Sequence, residues 1–116
     1  MDYFTPQGDP AIDFTKVDQN ALAMLNTARG NAKIPFVITS NYRSPEHSEE
    51  VGGSKTDAHT DNPCSAFDIL CAGDEDRAKI IGACWAAGFR RIGINVKNGH
   101  VHVDDSNRPS PAIWIE

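Results

Sequence analysis

The chain has 116 residues, with 11 Lys and Arg against 16 Asp and Glu, a formal net charge of −5. That length allows one domain with a single modest core. The acidic balance excludes nucleic acid as a partner, because phosphate binding needs clustered Lys and Arg. No stretch approaches the ~20 apolar residues of a membrane span, so no membrane insertion is expected.

Residues 1–14 are rich in Pro, Gly and Asp and read as an irregular N-terminal arm ahead of a single domain over 15–116. Thr15 is a candidate helix N-cap, with Asp18 three residues on. Ala21, Leu22, Leu25 and Ala28 then recur at helical spacing, and Gly30 is expected to end the helix. Pro35 to Ser40 reads as a buried strand. Asn41 to Thr60 is polar, with one short helix around Glu46 to Val51. Ser65 to Leu70 is a second strand. Asp74, Glu75 and Asp76 place acid in a first helical turn, where the helix dipole favours it. Ile80, Ile81, Cys84 and Trp85 form that helix's apolar stripe, and Gly88 stops it. Phe89 to Asn95 and His100 to Asp104 are two further strands, and Asn98-Gly99 is a hairpin turn signal. Ala112 to Ile115 adds a short edge strand. The order predicts an α+β domain, a small antiparallel sheet flanked by two main helices.

The cysteines number three. Cys64 and Cys71 bracket a strand, which puts them roughly 23 Å apart at ~3.3 Å per residue, too far for a disulfide. All three read as reduced thiols, with Cys84 in the core. The N-terminus has neither a basic start nor an apolar run, so the chain is expected to be made in a cytoplasm without a signal peptide.

Two pieces carry chemistry. One is His59-Thr60-Asp61-Asn62-Pro63-Cys64-Ser65-Ala66-Phe67-Asp68. The other, about thirty residues later, is Gly99-His100-Val101-His102-Val103-Asp104. Three of the four histidines fall in them; the fourth, His47, reads as a surface group. Side chains alternate along a strand, so His100, His102 and Asp104 share one face while Val101 and Val103 pack on the other. Asp68 can meet His102 if the two strands are neighbours. Two imidazoles and a carboxylate are a ligand set suited to catalytic Zn²⁺, with a fourth position left for water, and such a site suggests hydrolysis. Cys64 is a weaker candidate ligand, because a thiolate in the fourth position would block the water.

The residues also resemble a known family. Thr39-Ser40-Asn41-Tyr42-Arg43-Ser44-Pro45-Glu46-His47, Val51-Gly52-Gly53, His59 with Ala66-Phe67-Asp68-Ile69, and Val101-His102-Val103-Asp104 follow in order the pattern of the M15 metallopeptidases. That family cleaves peptidoglycan peptides. It includes D-Ala-D-Ala carboxypeptidases and phage endolysins, and it shares a superfamily with lysostaphin-type peptidases and the Sonic hedgehog signalling domain. The resemblance covers roughly residues 34–106. It implies that His59, Asp68 and His102 bind zinc, that Arg43 stands near the scissile group or a substrate carboxylate, and that His100 lies beside the metal-bound water. The chain departs from the pattern in four places, one of them Cys64, which stands where a glycine is common. His59 and Asp68 are nine residues apart, two more than is usual. Asp57 stands where a serine is common. Gly99 occupies the position, three before the last ligand, where many members carry an acid.

His100 is then the expected general base by its strand face and its ordinary pKa. Arg43, with its planar fork, is the expected partner of a carboxylate or developing oxyanion. Asp104 is expected to hold a histidine tautomer. Arg108 and Trp114 are placed at the far rim of the cleft or in edge packing. The implied function is a monomeric zinc peptidase acting on peptidoglycan stem peptides or cross-links, a bacteriophage lysis or virion-associated enzyme. The alternatives are a zinc-binding module without peptidase activity and a phage structural protein.

Overall fold

The computed structural model describes residues 2–116. Its elements are α1 (Gln19–Ala32), β1 (Ile38–Ser40), α2 (Pro45–Glu50), a 3₁₀ turn (Ala58–Thr60), β2 (Ala66–Leu70), α3 (Asp74–Ala87), β3 (Arg91–Asn95), β4 (His100–Asp104) and β5 (Ala112–Ile115). The five strands form one sheet in the order β1-β2-β4-β3-β5. The α+β class holds.

The sheet has two chemically distinct faces. Phe67, Ile69, Ile92, Val101 and Val103 point to one, where they meet Leu25 and Ala28 of α1 and Ile80 and Cys84 of α3 in a single buried core. The two helices pack against each other. Ala66, Asp68, His100, His102 and Asp104 alternate with the core residues and so occupy the opposite face. In the register, Asp68 pairs directly with His102, and Phe67 with Val103. Phe4, Ile12 and Val17, from the segment before α1, are buried in the same core.

Four local readings change. The cap of α1 is Asp18, whose carboxylate accepts from the Ala21 backbone N–H at 2.9 Å, while the Thr15 hydroxyl is committed to Asp13. The helix also continues through Gly30, which lies against the Tyr3 ring, and ends where Lys33 adopts a left-handed φ of 59°. β1 is only three residues long. Finally, β5 runs parallel to β3, with Ile92 opposite Ile113 and Gly93 opposite Trp114, so the sheet is mixed rather than antiparallel. The path of the chain explains this. β4 ends at Asp104 beside Arg91, the start of β3, and β5 begins at Ala112, also beside Arg91. The 105–111 loop therefore passes around one end of β3, and β5 must leave in the direction of β3.

Candidate metal centre

Three side chains converge in the middle of the polar face. Asp68 Oδ1 lies 3.1 Å from His59 Nε2 and 3.1 Å from His102 Nδ1, and the two nitrogens are 3.3 Å apart. All three residues are buried. β2 and β4 supply Asp68 and His102 as register partners. His59 arrives on the 3₁₀ turn, which Asp57 caps by accepting from the His59 N–H at 2.9 Å. Residues 61–65 form the loop between that turn and β2.

The outer nitrogens decide what this trio can do. His59 Nδ1 lies 2.6 Å from the Asn41 carbonyl, which can only accept, so it must carry the proton. His102 Nε2 lies 2.6 Å from Asp104 Oδ2 and carries the proton there. In neutral rings the inner nitrogens are then bare lone pairs. Two lone pairs and a carboxylate oxygen thus meet with no donor among them, an arrangement that calls for a cation. The spacing fits one: ligand atoms 2.0–2.1 Å from a tetrahedral Zn²⁺ are about 3.3 Å from each other. These are the three residues among those described whose ligand atoms could share a metal ion.

In the metal-free protein, protonation of His102 meets the same need. Burial acts to lower its pKa, but the hydrogen bonds to Asp104 and Asp68 outweigh burial and raise it to about 9. Burial likewise acts to raise the Asp68 pKa and is overcome by hydrogen bonds from His102 and His59, which hold it far below the carboxylate range.

Asp104 is fully buried and saturated. It accepts from His102, from Arg91 Nε at 2.9 Å, and from the Ser106 hydroxyl at 2.6 Å. Burial opposes its ionisation, yet these bonds bring its pKa down to about 2. It orients His102 in the way expected of a group behind a metal ligand.

The remaining predicted residues surround the trio in a cleft of about 530 Å³. His100 stands outside the trio, with Nε2 3.2 Å from Glu116 Oε1 and 3.8 Å from Asp68 Oδ2. The Glu116 hydrogen bond raises the His100 pKa, and the same bond lowers that of Glu116. Arg43 lines the cleft wall by the 3₁₀ turn, its guanidinium 3.4 Å from Asp57 Oδ2. Trp114 lies over His102, ring centroids 5.5 Å apart, and carries Arg91 on its own ring. Arg108 closes the rim by bridging to Asp61 at 2.7 Å and to the Thr56 carbonyl at 2.8 Å. Cys64 points away from the trio toward the Ala58, His59 and Ala66 carbonyls, and burial pushes its thiol up to about 11, so it is not placed as a ligand. His47 is exposed, beside Glu50.

Glu116, Arg91 and Asn41 are absent from the sequence-based site. The first two follow strand alternation: Trp114 and Glu116 share a face, as do Arg91, Gly93 and Asn95. The hairpin that joins β3 to β4 already sets Arg91 beside Asp104, whereas Glu116 reaches the histidines only through the parallel pairing of β5. Asn41 acts through its backbone carbonyl, which no residue pattern marks.

The family model described as Peptidase M15 matches residues 5–104. No curated protein and no solved structure matches the chain.

Proposed function

This chain belongs to the M15 peptidase family, and on that footing we propose that it is a zinc-dependent hydrolase of bacterial peptidoglycan, cutting peptide bonds in stem peptides or cross-links. The observation that carries the proposal is the convergence of His59 Nε2, Asp68 Oδ1 and His102 Nδ1, with both outer imidazole nitrogens already fixed as donors. A zinc ion held by these three residues supplies Lewis acidity, polarising a scissile carbonyl and acidifying water at neutral pH.

The chain's own residues account for the rest. Asp104 and the Asn41 carbonyl hold the two histidines in the ligating tautomer. His100 stands beside the trio, its Nε2 turned toward Asp68 and Glu116. Arg43 faces the same cleft with a planar, permanently charged fork. Peptidoglycan stem peptides are rich in carboxylates, which suits a fixed guanidinium at the cleft wall. The motif resemblance around Arg43, His59, Asp68 and His102 supports the same substrate class. We further propose a role in bacteriophage lysis or in a virion, with the enzyme acting at the cell wall as a monomer.

Loss of turbidity of permeabilised Gram-negative cells, with and without chelator, tests the activity. Chelator-sensitive lysis is the expected result. A zinc-loaded chain that leaves the cells intact would favour a binding module instead. Mass spectrometry of digested muropeptides then identifies the bond.

A further inference from the structure

Four acidic side chains line the cleft: Asp57, Asp68, Asp104 and Glu116. Three of them are committed. Asp68 is in the ligand trio. Asp104 is saturated by His102, Arg91 and Ser106. Asp57 accepts from the Ser48 hydroxyl at 2.6 Å and the His59 N–H at 2.9 Å, and pairs with Arg43. Glu116 differs. Its carboxylate is partly open to the cleft, and two of its three contacts are long, 3.3 Å from Trp114 Nε1 and 3.5 Å from Asn95 Nδ2.

The third contact, with His100, bears on which group accepts a proton. His100 Nε2 has two near polar neighbours, Glu116 Oε1 at 3.2 Å and Asp68 Oδ2 at 3.8 Å. Ionised carboxylates only accept, so Nε2 is the proton-bearing nitrogen. The edge of His100 turned toward the ligand trio is therefore a donor, and outside the trio the carboxylate that faces it is Glu116.

The backbone is built to deliver this carboxylate. The Glu116 N–H bonds to the Ile94 carbonyl at 2.9 Å, continuing the parallel ladder of β5 on β3. Gly93, opposite Trp114, leaves the space. A Cβ there would stand 2.8 Å from the Trp114 ring and 2.7 Å from Glu116 Oε2. The ring cannot yield as a flexible chain end could, so a side chain at 93 would displace both.

Resting on the peptidase reading above, we propose that Glu116 is a catalytic residue, the proton acceptor for the attacking water, with His100 as the donor that holds it in place. The water oxygen forms a bond to the scissile carbonyl carbon, and its proton passes to the Glu116 carboxylate. When the C–N bond breaks, Glu116 returns that proton to the leaving amine nitrogen and is ionised again.

The test uses the zinc-loaded chain on soluble muropeptides, with Glu116→Gln and Glu116→Ala. Both variants should retain zinc. Glu116→Gln should lose about 10²- to 10⁴-fold in kcat with KM little changed, the usual contribution of an acid–base group. Added formate should restore part of the Glu116→Ala rate in proportion to its concentration, which a merely structural role would not allow. An active wild type with Glu116→Gln within tenfold of it would overturn the Glu116 assignment and leave the peptidase reading standing. A zinc-loaded wild type with no hydrolysis would overturn the peptidase reading and this role together.

Discussion

Asp68 and His102 are direct partners across β2 and β4, and their side chains meet at 3.1 Å on the face of the sheet opposite α1 and α3. The same two strands place Phe67, Ile69, Val101 and Val103 on the other face, in the core. Site and core are thus two faces of one alternation. A change on the polar face can alter chemistry without disturbing the packing that holds the sheet.

Asp104→Asn should weaken zinc binding while leaving all three ligands in place. The amide can still accept from His102, but it withdraws the charge that His102 and Arg91 share. Loss of such a supporting carboxylate typically costs about 10- to 100-fold in metal affinity. Competition with a chromogenic chelator measures it. An unchanged affinity would show that Asp104 serves only to pair Arg91.

Zinc uptake should release a proton. Free His102, with its pKa raised from the ordinary 6.5 to about 9, is protonated at neutral pH. Ligation needs the bare Nδ1, so the proton must leave. In the metal-free protein, NMR of the His102 ring across pH should find the imidazolium at neutral pH and its proton lost near pH 9. The same raised value fixes the sign for the metal-free fold. His102 contributes stability fully below pH 6.5, and that contribution is lost as pH rises through about 9. A His102 ring already neutral at pH 7 in the metal-free protein would contradict the hydrogen bonding assigned to it.

Much of this centre was legible in the sequence because alternation in a strand is a rigid rule. His100 to Asp104 has the strand bounds expected of it, and the polar and apolar sets divide as the period of two requires. The hairpin at Asn98-Gly99 and the Gly88 stop follow from turn chemistry in the same way. Less could be read where two side chains compete for one task. Thr15 and Asp18 are both good caps, and the choice fell to Asp18 because Asp13 holds the Thr15 hydroxyl. Glu116 was hidden for a different reason: its place depends on the route of the 105–111 loop, which sets β5 parallel to β3. Pairing of an edge strand is a property of the path and leaves no mark in the strand itself.

His100→Ala should keep zinc, since His100 lies outside the ligand trio. Hydrolysis should fall by roughly 10- to 100-fold, because Glu116 loses the hydrogen bond that holds it. Parallel metal analysis and muropeptide kinetics check both statements. Loss of the metal would make His100 a ligand, and a fall of less than tenfold would remove it as the donor that holds Glu116.

Arg43→Lys should impair hydrolysis despite the retained charge, because lysine is a point charge without the planar fork. The kinetic signature identifies the role. A raised KM with steady kcat means a substrate carboxylate bound in the ground state; a reduced kcat means a developing oxyanion. The second is expected, since Arg43 lines the same cleft as the ligand trio. Wild-type kinetics would reduce Arg43 to the structural partner of Asp57 that the 3.4 Å contact also permits.

The most direct measurement is the zinc content of purified wild-type protein and His102→Ala by elemental analysis, alongside circular dichroism. Wild type should hold about one ion per chain, and the variant should lose most of it, because one of three protein ligands is gone. The variant's spectrum should remain near native, since Val101 and Val103 stay fully buried on the opposite face, each contributing roughly 1.5–3 kcal/mol by burial. Full zinc occupancy in a folded His102→Ala chain would contradict the metal centre of His59, Asp68 and His102.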